Sequence, residues 1–312
     1  MSVICNDDYP RTHYIPHKRQ ERASGDRSFK YVDLHWGQRK LFLNELSALT
    51  RYTHPEGNYL CVYAGAANGE HLPFLASLFP NVVFHLYDPA PFHSKVHAHA
   101  KTTGQFVIHQ GLFTDEVVVK YAPGGSERKE GRDLIFISDI RHDVGNDPGK
   151  AERFEAAVIE DMDMQRKWVL SLDPLFGVLK FRPPYPKPGV NPQYEYLKGD
   201  IYFQAYAPVT STECRLIVSR GAGNRVYDIQ QYEEQCAYFN QQRVLRSRGE
   251  TVDGFALKDI WSGLTPHLGL DCKVETEIIL SYFQVKTVEE LRTVITTINL
   301  ELHGTLFQKL KQ

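Results

Sequence analysis

The chain has 312 residues, with 36 basic and 38 acidic side chains and a formal net charge of −2 at pH 7. This balance excludes an overall field toward nucleic acid or a membrane surface, so any affinity for RNA must come from local patches. The five cysteines are scattered and form no C-x-x-C pair, which argues against a disulfide framework and a zinc ribbon. Without a leader-like segment or an apolar run of transmembrane length, we expect a soluble cytoplasmic protein.

Residues 1–30 form a polar, basic arm that shows neither a helical nor a strand period. Such a composition is typical of a flexible tail. It also suits an arm that lays aromatic rings and cations onto RNA, and both interpretations stay open. A helical pattern begins at about Trp36, which places Lys40 in the first turns of the predicted helix.

The segment Tyr59–Leu78 predicts a buried strand, a turn of small residues and a helix. In doubly wound folds, ligands bind where such a turn opens. Gly65 and Gly69 fit this place because a residue without Cβ allows a tight turn and a close approach of ligand to backbone. The next strand, Val82–Tyr87, ends in Asp88, which is placed to accept hydrogen bonds from a ribose diol.

The spacing of the two glycines indicates which cofactor the turn suits. It reads G-x-x-x-G instead of G-x-G-x-x-G, and no Lys-Ser/Thr of a P-loop follows. We therefore favour an adenosine-type cofactor without a pyrophosphate, S-adenosylmethionine (SAM) before NAD. A NAD-dependent dehydrogenase and an ordinary tight turn without any ligand are the alternatives.

The rest of the chain alternates between predicted strands and helices. We predict strands at Phe106–His109, Leu134–Ile137, Phe176–Lys180, Ile201–Gln204 and Glu213–Val218, and helices at Ala151–Ser171, Gln230–Arg248 and Thr287–Leu310. This order predicts a Rossmann-like α/β fold, a mostly parallel sheet of the seven-stranded type with helices on both faces. The last two strands predict an antiparallel edge hairpin, which suits a methyltransferase. We expect residues 31–260 to form this domain and residues 261–312 to form a helical segment that packs on it.

Four ionisable residues lie at the ends of predicted elements that should converge: Lys40, Asp139, Lys180 and Glu213. A structural ion-pair network at the edge of the sheet would explain them without any catalysis. Methyl transfer from a sulfonium to a ribose hydroxyl would also use them, since the hydroxyl proton must be removed. A lysine can remove it only in its neutral form, which desolvation and nearby positive charge favour.

The K-D-K-E order resembles the tetrad of RNA ribose 2′-O-methyltransferases. The closer resemblance is to the poxvirus-type cap-specific mRNA 2′-O-methyltransferases, which also serve as the small, processivity subunit of the viral poly(A) polymerase. The resemblance extends from about residue 31 to residue 240. It rests on the segments GQRKLFLNEL, VYAGAANGEH, IFISDIR, LKFRPPYP and APVTSTECRL and on the pair Tyr232-Glu233.

The resemblance implies SAM as the cofactor, capped mRNA as the substrate and a poly(A) polymerase catalytic subunit as a further partner. A viral member of this family would work in the host cytoplasm or the virion. The resemblance supports Lys180 as the base and Lys40 as a positive charge near it, while Asp139 and Glu213 orient the lysines and balance the buried charge. It assigns cofactor binding to Gln38, Tyr63, Gly65, Gly69, His71, Asp88 and Arg141, with Leu112 and Phe113 beside the adenine.

For the cap, the resemblance implies that Tyr185 stacks on the N7-methylated guanine and that Glu233 binds its hydrogen-bonding edge. An N7-methylated guanine is a cation, so it stacks well on aromatic rings. The second aromatic is assigned to Tyr14 of the arm. Lys187 occupies the position of the family's second carboxylate, which is a departure from the pattern. With Arg141 and Arg182, Lys187 is predicted to hold RNA phosphates.

Two further groups of residues are given no catalytic role. His93, His97 and His99 lack a carboxylate or cysteine partner, so we predict no metal site. Asp161 and Asp163 are predicted to lie on the solvated face of the long helix.

The second functional hypothesis is a non-catalytic subunit that clamps RNA for a polymerase, although a pure scaffold has no need of an intact tetrad.

Overall fold

The computed structural model describes residues 4–5, 9, 11, 36–142, 150–185, 192–208, 211–244, 250–264 and 269–303. The chain divides into two compact units. The first unit combines residues 1–50, 202–212 and 233–312, and the second combines residues 51–201 and 213–232. The domain boundaries expected near residues 30 and 260 stay predictions. Over the described ranges, none of the helices has the length and apolarity needed to cross a membrane.

Helices and strands alternate through most of the described chain. In chain order the elements are β1 (Ile4–Cys5), α1 (Trp36–Tyr52), β2 (Tyr59–Ala64), α2 (Leu72–Leu78), β3 (Val82–Asp88), α3 (Ser94–Thr103), β4 (Phe106–Gln110), α4 (Asp115–Tyr121), β5 (Asp133–Ser138), α5 (Lys150–Leu172), β6 (Phe176–Phe181), β7 (Gln193–Leu197), β8 (Asp200–Tyr202), β9 (Cys214–Ser219), β10 (Asn224–Asp228), α6 (Ile229–Val244), β11 (Thr251–Val252), β12 (Phe255–Ala256), α7 (Leu257–Trp261), α8 (Leu270–Phe283) and α9 (Val288–His303).

Seven strands between residues 59 and 219 follow the order β8-β9-β6-β5-β2-β3-β4. The pairs among β2 to β6 are parallel, and β9 runs antiparallel to β6. All six residues of β2 are buried, as expected for a strand with neighbours on both sides. The strand order reverses at β2, so its carboxyl end is the switch point where α/β sheets bind ligands. The predicted Rossmann-like, mostly parallel fold is confirmed.

Several elements were not predicted from the sequence. Helix α3 begins directly after His93, whose Nδ1 atom caps the first turn by accepting from the Lys95 N–H at 3.2 Å. Strands β7 and β10 form a separate antiparallel pair. Helix α8 is buried over most of its surface, so its sequence lacks the two-sided pattern that marks a surface helix.

A partly buried network of rings extends over β3, β4 and α4. The His85 ring is hydrogen-bonded to the Tyr121 hydroxyl at 2.6 Å, and that hydroxyl is hydrogen-bonded to the Tyr87 hydroxyl at 2.8 Å. Burial, together with nearby His109, lowers the pKa of His85 to about 4. Burial also lowers the pKa of His109, whose ring stacks on Tyr87 at 4.2 Å.

This network predicts a loss of stability in mild acid. The pKa of His85 is about 4 in the folded protein and 6.5 ordinarily. Between pH 6.5 and pH 4, His85 is therefore protonated in the unfolded chain but neutral in the folded protein. The free energy of unfolding should therefore fall as the pH decreases through this window. Replacing His85 with Gln, which keeps a hydrogen-bonding side chain, should make the fall shallower in urea titrations at several pH values. The exposed His97→Gln serves as the control, and an unchanged slope in His85→Gln would contradict the prediction.

Candidate active site

The turn after β2 is packed against the ends of its two neighbouring strands. The N–H groups of Gly65 and Ala66 donate to the Tyr87 carbonyl at 2.8 and 3.2 Å. Gly65 has a φ of +82°, and a Cβ at this position would lie 2.9 Å from the Asp139 carbonyl carbon. Any other residue would therefore be strained and would collide with backbone, which explains the glycine. The same packing brings the turn next to Asp139.

Asp88 is fixed at the opening of this turn. Its Oδ2 atom accepts from the Ala67 N–H at 3.0 Å, and its Oδ1 atom accepts from the Ala90 N–H at 2.8 Å. A carboxylate oxygen can accept more than one hydrogen bond, so Asp88 keeps capacity for a ligand diol. Gly69 in the same turn has a φ of +71°, and the neighbouring His71 is buried.

Three of the four predicted catalytic residues meet at the carboxyl ends of the central strands. The Lys180 ammonium lies 3.1 Å from Asp139 Oδ1 and 3.6 Å from Glu213 Oε2. Asp139 directly follows β5, Lys180 lies in β6, and Glu213 directly precedes β9. The side chain of Lys180 is 13% exposed, so this amine is largely withdrawn from water but still reachable.

Arg215 is a member of this cluster that sequence reasoning missed. It pairs with Lys180 across β6 and β9, and its Nη2 atom lies 2.7 Å from Asp139 Oδ1. Burial alone would lower the pKa of Arg215, but the attraction of Asp139 and Glu213 outweighs it and raises that pKa. Side chains two residues apart on a strand point to the same face of the sheet. The spacing of Glu213 and Arg215 was therefore the feature of the sequence that could have placed Arg215 in this cluster.

Arg141 extends the cluster toward Asp161 on α5. Its guanidinium lies 3.7 Å from Glu213 Oε2 and 3.3 Å from Asp161 Oδ2. His142 binds the same Asp161 through its ring at 2.5 Å and its N–H at 3.1 Å. Asp161 is fully buried, so its prediction as a solvated side chain was wrong, whereas Asp163 is exposed. A buried carboxylate needs such partners to offset its desolvation.

The remaining predicted cofactor residues fall into two groups. In the second unit, Tyr63 is buried at the end of β2, and Phe113 packs in the core against Tyr87 and Trp168 at 5.2 and 5.0 Å. Leu112 beside it is 69% exposed. In the first unit, Gln38 and Lys40 are half-buried on α1, and their roles stay predictions.

The cap and RNA residues are also distributed over both units. Tyr185 is half-buried just after β6, and Glu233 is buried on α6 in the first unit. Tyr14 and Lys187 lie outside the described residues. Arg182 is only 5% exposed, and its guanidinium is bound by Glu155. Its role in holding RNA phosphates stays a prediction.

No metal ligands were expected near His93, His97 and His99. In the part of the chain that the structure describes, no three His, Cys, Asp or Glu side chains are grouped so that they could hold a metal ion. The prediction of a metal-free site stays a prediction.

The strand order and the glycine turn at the switch point define a Rossmann-like α/β protein, and an ionisable cluster lies beside this turn. The family model for the poly(A) polymerase regulatory subunit matches residues 18–253, and the chain belongs to this family.

Solved structures show weaker similarity. Bluetongue virus VP4, whose structure is described as a multifunctional RNA-capping production line, is 17% identical with a TM-score of 0.43, covering 67% of this chain and 36% of that protein. Human methyltransferase-like protein 13 in complex with S-adenosylhomocysteine (SAH) is 15% identical with a TM-score of 0.32. The match covers 71% of this chain and 95% of that protein. The sugar N-methyltransferase KedS8 from a Streptoalloteichus species is 13% identical with a TM-score of 0.23. The match covers 74% of this chain and 87% of that protein. Similarity at this level assigns no activity.

Proposed function

We propose that this protein transfers a methyl group from SAM to the ribose 2′-hydroxyl of the first transcribed nucleotide of capped mRNA. The observation that carries the proposal is the position of the Lys180 amine. It lies between Asp139 and Glu213 at 3.1 and 3.6 Å, at the sheet edge that carries the glycine turn. A basic group in reach of a bound hydroxyl is what this chemistry requires.

The residues around the turn fit an adenosine-type cofactor. Gly65 allows the turn to pack against the Asp139 backbone, and Asp88 offers carboxylate oxygens to a ribose diol. The guanidinium of Arg141 is a suitable partner for the carboxylate of an amino-acid moiety. When bound, SAM supplies the methyl group and a positive sulfonium.

Lys180 would remove the proton from the 2′-hydroxyl. The two carboxylates beside it hold the amine in place, and Arg215, its cross-strand partner, binds Asp139 and places a positive charge on the same strand face. We therefore assign Asp139 and Glu213 to orienting Lys180, and Arg215 to offsetting their charge.

A second function is favoured by the family assignment, because the matching family is described as a poly(A) polymerase regulatory subunit. In this role the chain would clamp RNA for a polymerase catalytic subunit. The two functions do not exclude each other, since the proposed catalytic cluster and an RNA-clamping surface need not coincide.

Methyl transfer from labelled SAM to three short RNAs tests the proposal. The RNAs carry an N7-methylated cap, an unmethylated cap or no cap, and the product nucleoside is identified after digestion. We expect transfer to the 2′-hydroxyl of the N7-methylated RNA alone. Equal transfer to all three RNAs would support the chemistry without cap recognition. RNA binding without transfer to any of them would favour the clamping role.

A further inference from the structure

A largely buried ion pair lies against the ring of Tyr185. The guanidinium of Arg182 donates to both carboxylate oxygens of Glu155, at 2.9 and 3.2 Å. Its side chain is 6% exposed, and that of Glu155 is 23% exposed. Two parallel hydrogen bonds of this kind fix the orientation of both planar groups. Glu155 belongs to α5, so the pair connects this helix to the loop after β6.

The same pair holds Tyr185 at two points. The central carbon of the Arg182 guanidinium lies 4.4 Å from the centre of the Tyr185 ring, within the range of a cation–π contact. The Tyr185 N–H donates to Glu155 Oε2 at 3.0 Å. Phe154 packs against the same guanidinium at 5.2 Å. Both the backbone and the ring of Tyr185 are therefore held by this ion pair, while Tyr185 itself stays half-exposed.

We infer that Glu155 and Arg182 are positioning residues that hold the Tyr185 ring as a stacking surface for a planar nucleobase, the N7-methylguanine of the cap in the first place. This inference rests on the proposed function. A ring that is already oriented loses less conformational entropy when a base stacks on it. Because Glu155 balances the charge of Arg182, no uncompensated positive charge lies behind the ring to repel a cationic base.

Binding of 7-methyl-GTP and of GTP, measured by calorimetry without any methyl transfer, tests the inference. The variants are Tyr185→Ala, Arg182→Gln, Arg182→Lys, Glu155→Gln and the double variant Tyr185→Ala/Arg182→Gln. Loss of one stacking ring should weaken 7-methyl-GTP binding by on the order of tenfold to a hundredfold. Arg182→Gln should weaken it by part of that factor, and should cause no further loss once Tyr185 is Ala.

Arg182→Lys separates positioning from charge. A lysine keeps the positive charge but cannot form the paired, planar contact, so its affinity should fall as in Arg182→Gln. The control is Arg153→Gln, which removes an exposed positive charge from α5, the helix that carries Glu155. This variant should leave the affinity for 7-methyl-GTP unchanged. Thermal unfolding and SAH binding check that each variant is folded, and Glu155→Gln, which keeps size and part of the hydrogen bonding, provides the mildest change.

Three results would overturn the inference. The first is an equal effect of Arg182→Gln with and without the Tyr185 ring. The second is full retention of affinity in Arg182→Lys. The third is a wild-type protein that binds neither nucleotide. A protein that binds 7-methyl-GTP with the expected coupling but transfers no methyl group would instead refute the proposed function alone.

Discussion

Replacing Lys180 with methionine is expected to lower kcat for methyl transfer by at least about a hundredfold, since positioned acid–base groups contribute on that order. Methionine has a similar length but no proton-accepting atom. Asp139 keeps its contact with Arg215 at 2.7 Å, so the cluster retains a paired carboxylate after the change. The SAH affinity and the unfolding midpoint should therefore stay as in wild type, and single-turnover transfer to capped RNA measures the effect.

Lys180→Arg distinguishes a base from a fixed positive charge. A guanidinium keeps its proton in a protein, so this variant should be as inactive as Lys180→Met if the amine removes the hydroxyl proton. The exposed Lys198→Met, in the loop after β7, is the matched control and should keep full activity. Substantial activity in Lys180→Arg would show that the side chain orients the hydroxyl by its charge and is not the base.

Replacing Glu275 with glutamine is expected to destabilise the protein by about 3–5 kcal/mol, the usual effect of leaving a buried charge without its partner. Glu275 is fully buried on α8, and Arg39 on α1 is 2% exposed. Arg39 donates to the two Glu275 oxygens at 2.5 and 3.0 Å and also to Asn299 on α9. Burial alone would lower the pKa of Arg39, but the attraction of Glu275 outweighs it and raises that pKa.

The surroundings of this pair explain why a neutral residue in place of Glu275 is expected to be destabilising. The Tyr206 hydroxyl donates to Glu275 at 2.6 Å, and the Arg39 guanidinium lies 5.3 Å from the Tyr206 ring and 6.0 Å from the Trp261 ring. Both rings stabilise a cation beside them. Glutamine keeps the size of the side chain but removes the negative charge, so Arg39 would remain charged without compensation.

Urea unfolding of Glu275→Gln measures this effect, with the exposed Glu289→Gln on α9 as the control. The control should change the free energy of unfolding by less than about 0.5 kcal/mol. The double variant Arg39→Met/Glu275→Leu should be destabilised by less than the sum of its single changes, because it removes both buried charges. If the losses in the free energy of unfolding were additive, Arg39 and Glu275 would contribute independently to stability, which would contradict the prediction.

Those parts of the candidate site that depend on a short local pattern, such as a glycine turn or the end of a strand, were predictable from the sequence. The small residues between β2 and α2 indicated a ligand-binding turn, and the structure gives Gly65 the left-handed φ and the backbone contact that require glycine. Asp139 and Lys180 follow from the same logic, since both lie at carboxyl ends of parallel strands that share one edge. Their contact at 3.1 Å was therefore implied by the order of the strands.

The charges that escaped prediction have partners far away in the sequence. Asp161 lies on a helix whose outer face is polar, so the pattern alone placed it in water, whereas the structure buries it against Arg141 and His142. Nothing in the sequence around Arg182 indicated that this side chain is buried. Its ring contact with Tyr185 and its bond to Glu155 depend on how α5 packs beside the loop after β6.

By itself, the sequence determined the alternation of strands and helices, the glycine turn and the strand ends that carry Asp139, Lys180 and Glu213. These features depend on periodicity and local backbone geometry, which neighbouring residues set. Only the tertiary structure decided which charges are buried and what they bind, as with Arg39 and Glu275, 236 residues apart. The free energy of a charge depends on its solvent exposure and on the charges around it, and the folding of distant segments fixes both.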